Sequence, residues 1–156
     1  YPVLEYSLIG DNGYIMAIEP DPRNFDTLKK NLSLIKCKKV FLKNAVGLKN
    51  EISEINLNKK TNLSRLYNIK NPFLKEGGVL KKNNIKVKII NFDEILRNIN
   101  FDLNKIKLLR MDIEGGEIQV LKSLSNHLNK FKNLDILFET HPDFYNTEEL
   151  NDIFDE

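Results

Sequence analysis

Four short apolar runs alternate with helical patterns along this chain, and that alternation restricts the fold more than any other feature. The runs are "YIMAIE" at 14–19, "KVFLKNAVG" at 39–47, "IKLLRMD" at 106–112 and "LDILFE" at 134–139. Each is too short for a buried helix and is bounded by turn residues, as a buried strand would be. Between them lie segments with an apolar face at helical spacing. Phe25, Leu28 and Leu32 recur on one face, with Ile35 close to it, and Ile118, Leu121, Leu124 and Leu128 recur on another. Asp21 is a suitable N-cap there and Pro22 a suitable first helical residue. Strands alternating with helices over short connections predict an α/β fold with a parallel sheet covered by helices. The 156 residues suffice for one domain with a modest core.

The remaining segments fit around this frame. "YPVLEYSLIG" places Val3, Leu4, Leu8 and Ile9 at roughly helical spacing and stops at the turn "GDNG". "ISEINLN" and "IKVKII" alternate as strands do, while 61–84 carries turn residues and little period. "NFDEILRNI" predicts a short helix starting at Asn91 or Asp93. "NTEELNDIF" predicts a last helix, capped by Asn146 with Glu149 three residues on.

Composition excludes several classes. The 24 basic and 22 acidic residues nearly cancel, leaving +2, and no dense basic block suggests a nucleic-acid partner. A single cysteine, Cys37, rules out an internal disulfide framework and fits a reducing, cytoplasmic setting. No run is long and apolar enough to span a membrane. The first residue is Tyr1, so the chain is expected to begin within a longer protein or after processing.

Ligands of open parallel sheets bind beyond the carboxyl ends of the strands. Here those ends carry Glu19, Asn44, Asp112 and Glu139. A carboxylate at such an edge can accept both hydroxyls of a ribose. Charged residues also simply mark where strands leave a core, but four aligned ends favour a shared ligand rim. No GxGxxG or GxG occurs. Either the ligand is not a nucleotide, or its glycine-rich loop lies before Tyr1.

The segments "YIMAIEPDPRNFDTLKKNL", "KNAVG", "IKVKIINFDEIL", "KLLRMDIEGGEIQVLKSL" and "LFETH", in this order and spacing, resemble the FkbM-type family of S-adenosylmethionine-dependent methyltransferases. "IEPDP" and "MDIEGGE" carry most of the resemblance, which extends over nearly the whole chain. It implies S-adenosylmethionine as cofactor and a class I methyltransferase fold, with a mostly parallel, doubly wound sheet. It also implies that the glycine-rich loop and central first strand precede Tyr1, and that the final strand pair is incomplete here. A chain lacking that central strand would leave two strand edges unpaired, and is expected to be poorly stable and to bind the donor weakly by itself.

By the same resemblance Glu19 binds the ribose hydroxyls, Ile18 and Pro20 shape the adenine side, and Asn44 and Ala45 lie near the adenine. Asp112 faces the methyl group and the acceptor, counting with both the donor-binding and the catalytic groups, and Glu114 lines the acceptor side. The acceptor is expected to be a hydroxyl on a sugar or other small metabolite, free or in a glycan. Such a hydroxyl must lose a proton, and Asp112, Glu114 and His141 are the candidate bases. A divalent metal held by Asp112, Glu114 and Glu139 ranks lower, since these residues form no compact ligand set of fixed spacing.

Other residues have plainer explanations. Glu117 falls in the first turn of a helix and suits its dipole. Gly115 and Gly116 suit a tight turn. Where the family usually has a small residue with a side chain, Gly116 would cost about 1 kcal/mol if it lay inside the helix. His127 suits a helix end, Cys37 an inert core position, and Arg65 and Tyr67 a solvated loop. Two rivals stand beside the methyltransferase. One is a dinucleotide-dependent oxidoreductase, which also uses an acid after its second strand. The other is a non-catalytic binding module that keeps the fold.

Overall fold

The computed structural model describes residues 2–57, 65–66, 84–100, 102–113, 115–140 and 147–155. They divide into two compact units, Tyr1–Ala45 and Val46–Glu156.

The first unit opens with helix α1 (Pro2–Ile9), which ends at Gly10. Gly10 has φ +68°, and its N–H bonds back to Tyr6. This left-handed turn is one that glycine enters without penalty. Strand β1 (Tyr14–Ile18) follows, then helix α2 (Pro22–Leu32) and strand β2 (Lys38–Leu42). β1 and β2 pair in parallel, from Tyr14 beside Lys38 to Ile18 beside Leu42. The helix between them makes this a strand–helix–strand unit. Its core is Ala17, Leu32, Ile35 and Cys37, with Tyr6, Ile15, Leu28 and Phe41 packed around them. The α2 face predicted from Leu28 and Leu32 is therefore the one that packs. In α1, by contrast, Leu4, Leu8 and Ile9 are exposed, and Tyr6 makes the core contact instead.

From the unit boundary on, β3 (Ala45–Val46), β4 (Glu51–Asn56), β5 (Arg65–Leu66) and β6 (Asn84–Ile90) form a sheet in the order β3-β6-β4-β5. β4 pairs antiparallel with β6 and with β5. Ile55, Val87 and Ile89 are buried, as alternating strands with one packed face require. Helix α3 (Phe92–Arg97) is capped by Asn91, whose side chain accepts the Glu94 N–H. β7 (Leu108–Met111) and β8 (Asp135–Phe138) form a parallel pair, with helix α4 (Glu117–Ser125) between them in the chain. Helix α5 (Thr147–Asp155) packs against β8 through stacked Phe138 and Phe154, 6.1 Å apart, and against α4 through Lys122 and Glu149.

Several expectations change. The fold is mixed α/β with small sheets among the described residues. Among the described residues β1 pairs with β2 and β7 with β8, and the sheet between them in sequence is built on antiparallel pairs. The strand expected to end near Asn44 ends at Leu42, and the rest of the run 39–47 enters another sheet at Ala45. The irregular stretch contains β5, and a 3₁₀ turn at Leu103–Lys105 precedes β7. Asn146 and Tyr67 lie outside the described residues. No helix of the described residues is long and apolar enough to cross a membrane.

Candidate functional site

Glu19 follows β1, and its N–H donates to Leu42 O at 3.1 Å, which sets it beside the end of β2. Pro20 breaks the strand and Asp21 begins the helix. Asp21 is extended and caps α2 by accepting the Arg23 N–H at 2.9 Å. Pro22, which has no N–H to satisfy, is the first helical residue. The Asp21 N–H donates to Glu19 Oε1 at 2.8 Å. Burial holds the Glu19 carboxyl above the usual carboxylate range. Hydrogen bonds from the Asp21 N–H and the Asn24 side chain pull it down, and the Asp21 charge pushes it up. A carboxylate has about four acceptor sites, so one bound in this way can still accept the two hydroxyls of a diol.

Asn44 is half-buried immediately after the end of β2, and Ala45 is buried in β3. Glu19, Pro20, Asn44 and Ala45 thus gather at the carboxyl ends of the parallel pair β1–β2. An acid and an amide on adjacent strand ends are chemically suited to a ribose and to the ring edge of a base.

Asp112 leaves β7 exposed to solvent. The Glu139 N–H bonds to Met111 O at 3.3 Å, so Asp112 and Glu139 occupy neighbouring strand ends of the second parallel pair. Glu114 and His141 lie outside the described residues. Among the described residues, no three histidine, cysteine or carboxylate side chains gather as a metal ligand set.

The turn after Asp112 depends on Gly115, Gly116 and Glu117. Gly115 has φ +96°, a conformation that side chains rarely adopt. Gly116 is the N-cap of α4 and lies outside the helix interior, so the helix-interior penalty does not apply to it. Glu117 is completely buried, and its Oε1 accepts the Ile113 N–H at 3.2 Å. Glu117 therefore braces the turn that presents Asp112, a tighter role than a dipole charge on a solvated helix end.

His127 also differs from expectation. It is buried beyond the end of α4, stacks on Phe92 at 6.1 Å, and faces Asp93 through Nε2 at 3.4 Å. Lys130 Nζ donates to its Nδ1 at 3.0 Å. An ammonium cannot accept a hydrogen bond, so Nδ1 is the acceptor and Nε2 carries the proton facing Asp93. This ring ties α3 to the end of α4. Cys37 is buried in the first unit, and burial pushes its thiol pKa up, consistent with an inert side chain. Asp21, Arg23 and Asn24 were not among the residues singled out from the sequence as site groups. The only signal was the string "EPDPRN", where a helix cap directly follows the strand-end acid.

Two strand–helix–strand units with polar residues at the strand ends define a mixed α/β protein. The chain matches the methyltransferase FkbM domain family over residues 2–156 and belongs to that family. No curated protein and no solved structure matches it.

Proposed function

We propose that this chain is the donor-binding and catalytic part of an S-adenosylmethionine-dependent methyltransferase acting on a hydroxyl of a sugar or small metabolite, free or in a glycan. The observation that carries the reading is Glu19, a half-buried carboxylate at the end of a parallel strand in a member of the FkbM family. One of its oxygens accepts a backbone N–H, and acceptor capacity remains for a ribose diol.

In this reading Glu19 holds the ribose, while Pro20, Asn44 and Ala45 flank the adenine. The bound donor supplies an activated sulfonium methyl group. Asp112 stands on the methyl side, with Glu114 and His141 as further acceptor-side groups. The protein's task is to align the hydroxyl and to take its proton. Asp112, exposed at a strand end, is the proposed acceptor of that proton. The reading carries with it the doubly wound, mostly parallel sheet of class I methyltransferases, to which β1–β2 and β7–β8 would each contribute strands, and a cytoplasmic setting.

Calorimetric titration of the full-length protein with S-adenosylmethionine and with NAD tests the reading. Binding of S-adenosylmethionine and not NAD is expected, followed by transfer of labelled methyl to a hydroxyl compound in a panel of sugars. Binding of NAD alone would support the oxidoreductase, and binding of neither would support a non-catalytic module.

A further inference from the structure

The turn carrying Glu19 is held more firmly than a helix start requires. An N-cap needs one side-chain acceptor for a helix N–H. Asp21 meets that need with Oδ1 on the Arg23 N–H at 2.9 Å. It also takes the Arg23 guanidinium on both oxygens, Nε to Oδ1 at 3.0 Å and Nη2 to Oδ2 at 2.6 Å. Asp21 is only 1% exposed, so this charge is removed from water and depends on those donors. Helix stability does not account for the arginine. A cation in the first turn opposes the positive end of the helix dipole. The backbone N–H of Asp21 is the group that donates to Glu19 Oε1 at 2.8 Å.

We infer that Arg23, acting through Asp21, is a positioning residue for Glu19. The fork locks the peptide that holds one Glu19 oxygen and so aims the remaining acceptor sites at a vicinal diol. The identity of that diol as the donor's ribose rests on the methyltransferase reading. Arg23 touches no reacting atom. Together with the Asn24 side chain, which also bonds Glu19, it gives a half-buried carboxylate a set direction, which lowers the ordering cost of binding.

The test uses the full-length protein with S-adenosylhomocysteine as the titrant. Arg23→Gln is expected to weaken binding roughly tenfold. In a Glu19→Gln background the same substitution is expected to cost less than about twofold, because both changes act on one interaction. Arg23→Lys keeps the charge without the fork and is expected to behave like Arg23→Gln. A titrant lacking the ribose 2′-hydroxyl should bind the wild type more weakly than the parent compound does, and Arg23→Gln should narrow that gap. If Arg23→Gln does not fold, Asp21→Asn keeps a good helix cap while losing the paired acceptor, and takes its place. Unchanged affinity in the variant, full additivity with Glu19→Gln, or complete rescue by lysine would overturn the inference. If the wild type binds no S-adenosylhomocysteine, the methyltransferase reading fails. Amide exchange at Asp21 then decides the positioning role by itself. Loss of Asp21 protection in Arg23→Gln supports it, and unchanged protection overturns it.

Discussion

Glu19 has two jobs that respond to pH in opposite directions. Burial raises its carboxyl pKa in the folded chain, so ionised Glu19 is disfavoured there. Its contribution to stability is fully present below the ordinary glutamate range and is lost as pH rises through the raised value. Accepting a diol requires the ionised form, so donor affinity should strengthen as pH rises through the same window. Calorimetry across that window is expected to show the rise in the wild type and a flat profile in Glu19→Gln. At a pH above the window, Glu19→Gln should weaken donor binding roughly tenfold to a hundredfold, the cost of hydrogen bonds to a charged group. The paired glycines separate on the same scale. Gly115 sits at φ +96°, so Gly115→Ala should destabilise by about 1 kcal/mol or more in denaturant unfolding. Gly116→Ala should cost less. The one tight contact of a methyl there is the tip of Ile113 at 3.2 Å, its other neighbours lie at ordinary contact distance, and Ile113 is exposed and able to move.

Helix α4 shows where periodicity stops being informative. Ile118, Leu121 and Leu124 are buried as their spacing predicts, but Leu128, the next member of the stripe, is 47% exposed. The helix ends at Ser125, and Leu128 opens a 3₁₀ turn. Truncation should reveal the difference: Leu124→Ala is expected to cost about 2–5 kcal/mol, and Leu128→Ala within about 0.5 kcal/mol. The adjoining Ser123 has a role that no pattern announces. Its Oγ accepts the buried Phe92 N–H at 2.9 Å, joining α3 to α4. Ser123→Ala should cost about 1–3 kcal/mol by leaving that donor without an acceptor, as read from chemical denaturation. In the first unit the helix start at Asp21–Pro22 was fully legible, since capping chemistry is local. In α1, Leu4 and Leu8 had helical spacing yet are exposed. Spacing reports that a face exists and leaves open what covers it.

At the scale of the molecule, the two compact units divide the proposed labour. Glu19, Asn44 and Ala45 belong to the first and Asp112 to the second. The division predicts separable defects. Glu19→Gln should act chiefly on donor affinity. Asp112→Asn should lose far more in turnover than in donor affinity, on the order of 10²–10⁴-fold in rate if it serves as the base. Parallel calorimetry and methyl-transfer assays on the full-length variants check the split. Equal loss of affinity in both variants would show that Asp112 serves mainly to hold the donor.

The sequence alone determined most of the strand and helix segments, the cap at Asp21, the acids at the strand ends and the FkbM resemblance. All of these follow from local periodicity, backbone chemistry and motif order. Only the tertiary structure decided that residues 39–47 split between two sheets, that Tyr6 and not Leu4 or Leu8 meets the core, and that Arg23 forks onto Asp21. It also decided that Glu117 reaches back to Ile113 and that His127 stacks on Phe92. Each of these depends on which partner a side chain or strand meets in space. Burial makes such choices costly to reverse, and no spacing along the chain encodes them.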